Sequence, residues 1–334
     1  MKRLILILLL LFILSGCTTQ PSQPGEGKEI VMGQPTWDTG WFQAQVYKLL
    51  LEELGYTVEK PITLENPEFY IASALGYVDF WANGWFPLHE LYFEYENVQG
   101  KLDVIGYLVK AGAIQGYLID KTVAVDLGIT NLADFQDPEI AKVFDRDGDG
   151  RADLIGCDDG WGCAKVIDRH LEVNGLTNTV EHLQSGYTEQ MVGILAEYEP
   201  GMPILFYTWT PNWTVSEFQI GEDVAWLSVP DASVSGGNTP ANSIDGCLET
   251  PCDMGFGVND IRVVANIDFL TENPSAAMLF ELVKIPLKDI AQQNIKMFLG
   301  ENSSEDIQRH AKAWIEENQA AVDAWLDQAR SAAE

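Results

Sequence analysis

Ten tryptophans are spread through the chain, and three stand where a packing residue would be unexpected. Trp85 lies in Asn83-Gly84-Trp85-Phe86-Pro87-Leu88-His89, Trp161 in Cys157-Asp158-Asp159-Gly160-Trp161-Gly162-Cys163, and Trp209 in Tyr207-Thr208-Trp209-Thr210-Pro211. Each stretch is polar and turn-rich and follows or interrupts an extended run, the place where α/β proteins carry ligand groups. One such Trp alone is more often packing. Three together point to an aromatic cage, whose chemistry is specific. A quaternary ammonium has no N–H to donate, so a site attracts it only through aromatic faces or unpaired carboxylates, and indole is the strongest face. A ligand that also carries a carboxylate needs donors. His89 can donate when neutral and adds charge when protonated. Gly162 offers a backbone N–H with no side chain in the way.

Four cysteines fall into two close pairs, Cys157 with Cys163 and Cys247 with Cys252. In an exported chain this pattern reads as two short-loop disulfides; a four-cysteine zinc site is the rival, although the spacings are wide for a zinc knuckle and Trp161 sits inside the first loop. A disulfide there would stiffen the Trp161 loop and lower the ordering cost of binding.

Asp145, Asp147, Asp149 and Asp153 form a separate signal. Carboxylates at alternate positions followed by Gly150 resemble the start of an EF-hand-type calcium loop. The Glu that closes such a loop is missing, with Asp153 as a substitute in a shorter one, so a structural calcium site and an acidic hydrogen-bonded turn both stand open. No other cofactor is required. Enzyme signatures are absent from the sequence: no G-x-S-x-G, no H-E-x-x-H, no phosphate-binding or dinucleotide loop, and only four histidines. With 50 Asp and Glu, a carboxylate pair for glycoside hydrolysis carries no information by itself. The expectation is a binding protein, not an enzyme.

The elements that must position these groups alternate. Glu29 to Gly33 reads as a strand, Asp38 to Leu54 as a helix stopped by Gly55, and Tyr56 to Ile62 as extended. Extended runs recur at 78–81, 104–109, 117–119, 204–207 and 224–229, which argues for an α/β sheet architecture. Asn273-Pro274 opens a helical region, and Asn302 with Glu305 suggests a capping box for a helix with Ile307, Ala311, Trp314 and Ile315 on one face. Trp314 and Trp325 are expected in the core. The chain has no Pro- or Ser-rich internal linker, so two lobes joined by crossing strands fit better than successive domains.

Its beginning indicates export. Lys2 and Arg3 precede an apolar run from Leu4 to Leu14 that is too short to span a bilayer, followed by Leu14-Ser15-Gly16-Cys17. Residues 1–17 are read as a lipoprotein signal peptide whose lipobox ends on Cys17, the acylated residue, and residues 18–28 as a flexible tether. The expected location is extracytoplasmic, anchored to the membrane through lipid. A formal charge of −30 excludes nucleic acid as a partner. The 334 residues, 46% hydrophobic, can bury a substantial core.

At these segments the chain resembles the periplasmic glycine betaine/proline betaine-binding proteins of osmoprotectant ABC importers, the OpuAC-like substrate-binding family. The likeness is carried by N-G-W-F-P-L-H (83–89), Q-G-Y-L-I-D-K (115–121), the block from Asp137 to Cys157, G-W-G-C (160–163), Y-T-W-T-P (207–211) and A-x-x-W-I-x-x-x-Q (311–319). It implies a type II periplasmic-binding-protein fold of two α/β lobes joined by crossing hinge strands, with residues 29–115 plus 262–334 in lobe 1 and 116–261 in lobe 2. Crossings would fall near Gln115-Gly116 and Asn259 to Val264. It implies that Trp85, Trp161 and Trp209 enclose the methylammonium group, that His89 with the backbone of Trp161 and Gly162 takes the carboxylate, and that Cys157 pairs with Cys163. The partners it implies are an ABC permease with its ATPase. Choline, carnitine or an amino acid in the same fold is the alternative ligand, and a secreted carbohydrate-active enzyme the alternative class. Cys247/Cys252 and the segment 36–41 have no counterpart in the family pattern; Trp37 and Trp41 are read there as packing.

Overall fold

The computed structural model describes residues 23–231 and 244–333; the leader, Cys17 and the first part of the tether lie outside the described residues. The strands are β1 (Glu29–Ile30), β2 (Met32–Pro35), β3 (Thr57–Val58), β4 (Ile62–Leu64), β5 (Phe80–Phe86), β6 (Leu102–Ala113), β7 (Gln115–Asp120), β8 (Ala152–Ile155), β9 (Val180–Leu183), β10 (Leu205–Trp209), β11 (Val224–Leu227) and β12 (Asn259–Asn266). They build two five-stranded mixed sheets, ordered β4-β2-β5-β12-β6 and β11-β7-β10-β8-β9, with β1 and β3 as a small parallel pair. The expected α/β architecture of two sheet-centred halves is what the chain forms.

The centre of the first sheet is β5, flanked by parallel β2 and antiparallel β12. Its sequence is almost continuously apolar because both of its faces are covered. The helix Trp41–Glu53 supplies part of that cover: Tyr47, Leu50 and Leu51 are fully buried, each contributing about 1.5–3 kcal/mol relative to an exposed side chain. Phe42 of the same helix meets Trp314 edge-on at 6.3 Å, and Trp325 stacks on Trp314 at 6.5 Å, so the C-terminal helices do act as packing. Gly106 in β6 has φ +67°, and a Cβ there would strike the Phe280 carbonyl oxygen at 2.0 Å. That glycine lets the helix Pro274–Leu282 lie close on the sheet.

The chain passes from the first sheet to the second between Ala113 and Gln115 and returns between Leu227 and Asn259. Residues 259–264, expected at a crossing, lie inside β12.

Three local expectations are corrected. The helix of residues 304–317 is capped by Ser303, whose hydroxyl accepts from the Asp306 N–H at 3.1 Å, and not by Asn302 with Glu305. The cap belongs to the residue whose backbone is still extended, one position later. Residues 23–28 are docked: Gly25 N–H donates to the Leu54 carbonyl at 2.9 Å and Lys28 Nζ to the Glu272 carbonyl at 2.8 Å. Composition favoured a tether, yet these backbone groups find partners on the folded body. Trp85, read from a turn-rich context, sits within β5, because the strand runs on to Phe86.

Candidate functional site

The site begins with side-chain alternation along β5, which places Trp81, Asn83 and Trp85 on one face. The Asn83 carboxamide oxygen accepts two indole N–H bonds, from Trp85 and from Trp37, each at 2.9 Å. Trp37 follows the carboxyl end of β2 and packs edge-on against Trp81 at 5.6 Å. One buried amide thus orients two tryptophans whose own polar handles are satisfied.

After β5 the chain turns into the short 3₁₀ helix Leu88–Glu94, which carries His89 back under the strand. The Trp85 backbone N–H approaches His89 Nδ1 at 3.3 Å. An amide N–H can only donate, so Nδ1 is its acceptor. Nε2 faces the Nδ2 amide group of Asn66, itself a donor, at 3.2 Å, and Tyr70 OH lies 3.0 Å from Nδ1, so both ring nitrogens meet donor groups. Burial pushes the His89 pKa down to about 3, because the charged imidazolium is poorly solvated there. The ring is therefore neutral near pH 7, the form that carries one N–H and no charge.

The opposite wall comes from the second sheet. The loop after β8 is closed by a disulfide between Cys157 and Cys163, with Cα atoms 6.0 Å apart; Cys247 and Cys252 are likewise bonded. Both pairs are thus disulfides, which removes the zinc alternative. Trp161 occupies the N-cap position of the helix Gly162–Val173, and its own N–H is used by the Asp158 carbonyl at 3.1 Å. Gly162 and Cys163 are the first residues of the helix and line the pocket, so their N–H groups have no intrahelical acceptor and lie at the positive end of its dipole. A Cβ on Gly162 would come within 3.2 Å of Leu88 and 3.4 Å of His89, so the helix start lies close against the first-sheet wall and a side chain there would push on it.

Trp209 ends β10, and its register partner in β7 is Gln115, the first residue after the crossing. Tyr207, two residues back on the same face, donates its hydroxyl to Gln115 Oε1 at 2.6 Å. Gln115 Nε2 is buried without a partner. Trp161 stands nearly perpendicular to Trp37 (5.5 Å, 74°) and to Trp209 (5.6 Å, 84°), with Tyr187 behind Trp209 at 5.0 Å.

These groups converge on one pocket. All five sequence-predicted binding residues, Trp85, His89, Trp161, Gly162 and Trp209, line it, with Trp37, Asn66, Leu88, Gln115, Cys163 and Tyr207. The cavity between the two walls is small, about 30 Å³, so the walls stand close together around it. No Asp or Glu is among the lining residues. Trp37, which sequence reasoning read as packing, faces the space and packs as well. The missed polar residues had weak signals: Gln115 stands in an extended run with no motif, and Asn66 follows β4 as an ordinary helix opener. Asp145, Asp147, Asp149 and Asp153 cluster elsewhere, with Glu181 joining Asp147 and Asp153.

Two bonds tie the walls together. Trp161 Nε1–H donates to Thr36 Oγ1 at 2.8 Å, and Trp209 Nε1–H to Thr39 Oγ1 at 3.2 Å.

Comparison with known proteins gives a consistent result. Residues 28–317 match the model of the substrate binding domain of ABC-type glycine betaine transport systems. The chain is 42% identical over 310 residues to the glycine betaine-binding periplasmic protein OusX of Dickeya dadantii, covering 93% of this chain and 92% of that protein. It is 39% identical over 320 residues to the glycine betaine/proline betaine-binding periplasmic protein of Escherichia coli, covering 96% of each. Among solved structures, the glycine betaine, L-proline-binding protein ProX of Borrelia burgdorferi superposes with a TM-score of 0.70 at 18% identity, covering 92% of this chain and 100% of that one; this likeness speaks to the fold.

Proposed function

The chain belongs to the family of substrate-binding domains of ABC-type glycine betaine transport systems, and from that premise we propose that its pocket captures glycine betaine or proline betaine as a zwitterion and hands it to a membrane permease driven by an ATPase. The observation that carries the reading is the charge of the lining. Four indole faces surround the space, no carboxylate lines it and His89 is held neutral. A formally uncharged pocket suits a ligand that brings both charges itself.

The two ends of such a ligand find different walls. A quaternary ammonium against Trp85, Trp161 and Trp209 gains about 0.5–2 kcal/mol per face, more as water is excluded. Its carboxylate finds donors at the start of the helix Gly162–Val173, in the Gly162 and Cys163 N–H groups, and in the single N–H of the neutral His89 ring. Choline offers only the cationic end and leaves these donors unserved, which costs affinity. Glycoside hydrolysis requires two flanking carboxylates, and the lining supplies none.

Capture includes closure. The two crossings between the sheets act as the hinge, and the Trp161–Thr36 and Trp209–Thr39 bonds latch the closed form. The chain works outside the cytoplasm, held by lipid on Cys17; the Lys2-to-Cys17 pattern supports this, and labelling of the cellular protein with radioactive palmitate, lost in Cys17→Ala, tests it. The ligand reading is tested by calorimetric competition among glycine betaine, proline betaine, choline, carnitine and proline. Betaines should bind one to one and displace the rest; preference for choline or for a primary amino acid would replace this reading.

A further inference from the structure

The acidic turn ahead of β8 holds a feature that the betaine pocket does not use. Asp145, Asp147 and Asp149 each bring a carboxylate oxygen within 4.8 Å of the others, and Asp147 makes a second such group with Asp153 and Glu181. Asp153 of β8 and Glu181 of β9 are register partners in a parallel pair, so two like charges stand side by side, a destabilising arrangement unless a cation intervenes. Arg151 reaches Glu181 at 2.9 Å and Asp149 at 2.5 Å. Asp153 is in a different position: it is 5% exposed, one oxygen accepts the Arg146 N–H at 2.7 Å, and the other, Oδ1, is buried with no partner. A buried carboxylate oxygen facing two more carboxylates is costly as it stands.

We propose that Asp145, Asp147, Asp149, Asp153 and Glu181 bind one calcium ion. The donors are all hard oxygens, which suit calcium and magnesium; an irregular set drawn from a turn and two strands suits calcium, with its tolerance of six to eight ligands, over strictly octahedral magnesium. The loop is shaped for it. Asp145 accepts the N–H of Gly148 at 2.7 Å and of Gly150 at 2.8 Å, which curls the chain and keeps the carboxylates of Asp145, Asp147 and Asp149 within reach of one another. The closing carboxylate that the sequence lacks is supplied from the neighbouring strand by Glu181, so the ion would tie the turn to both β8 and the edge strand β9. Five carboxylates against Arg151 leave ample negative charge for a divalent ion.

Thermal unfolding of the purified protein tests this in chelator, in about 1 mM calcium and in about 1 mM magnesium at matched ionic strength. Calcium should raise the midpoint by about 3 °C more than magnesium does, and both Asp147→Asn and Glu181→Gln should abolish the difference. Calorimetric titration should count one calcium per chain in the parent. An equal rise with both ions, or an equal rise in parent and variants, means diffuse screening of an acidic surface and overturns the proposal, as does no rise in the parent. Should Asp147→Asn fail to fold, Glu181→Gln decides alone, because a self-contained loop site would not respond to it.

Discussion

The indole N–H of Trp161 donates to the hydroxyl of Thr36 at 2.8 Å, joining residues 125 positions apart and two sheets across a cleft. The same ring forms a wall of the pocket. One side chain therefore both joins the two walls and lines the pocket, and several measurable consequences follow from that coupling.

Thr36→Val should weaken glycine betaine binding about tenfold while leaving the unfolding of the ligand-free protein nearly unchanged. Valine keeps the shape but removes the acceptor, so the Trp161 N–H is left unpaired only when the walls meet, a cost of about 1–3 kcal/mol. Calorimetry for affinity and thermal unfolding for stability separate the two. An equal loss in both would make Thr36 a general packing residue.

Trp161→Ala and Trp209→Ala should each reduce affinity roughly 30-fold, the equivalent of about 2 kcal/mol for one desolvated cation–π face. Circular dichroism should report a folded chain, since the Cys157–Cys163 disulfide and the helix Gly162–Val173 do not depend on the ring. Unchanged affinity in both variants removes the cage.

Gln115→Glu should shift selectivity toward choline. The substitution keeps the shape and an oxygen for the Tyr207 hydroxyl, and places a carboxylate in a lining that has none. The ratio of glycine betaine to choline affinity should fall by at least about tenfold, because a buried negative charge repels one end of the zwitterion and attracts a bare cation. A competition titration reads the ratio directly.

Much of this site is legible in the amino-acid sequence because its informative residues are out of place there. Trp85, Trp161 and Trp209 betray themselves by polar neighbours, and close cysteine pairs leave few pairings. Trp37 was read as packing, and it does pack against Trp81; only the assembled sheets show that its other side meets the pocket. Asn83 and Gln115 carry no motif, since their roles arise from strand alternation and from a register set by residues far away in the chain. The neutrality of His89 was equally out of reach, because it follows from burial and not from neighbours in sequence. Helix ends suffered for a smaller reason: Asn302 and Ser303 are both good caps, and backbone geometry chooses between them.

Acid should act on the closed protein through Asp38. Burial, aided by the charge of Glu189 on the opposite wall, pushes its carboxyl up to about 6 from an ordinary value of 3.8. A carboxyl with a raised pKa binds its proton more tightly in the closed, folded state than in the unfolded chain, so its contribution to stability grows as pH falls through about 6 toward 4. His89 and His170, held down at about 3 and about 4 by burial, work in the opposite direction below pH 6.5. The difference between the parent and Asp38→Asn isolates the carboxyl: the variant should be the more stable at pH 7, and its advantage should shrink by pH 5. Parallel pH profiles for the two would show that Asp38 does not titrate in this range.

The most direct test of an uncharged pocket built for a zwitterion is calorimetric titration of the folded, ligand-free protein with glycine betaine and with choline at pH 7, following tryptophan fluorescence alongside. Saturable one-to-one binding of glycine betaine, with a change in tryptophan emission and at least about tenfold weaker binding of choline, is the result predicted here. Equal or tighter binding of choline, or no binding of glycine betaine, would contradict it.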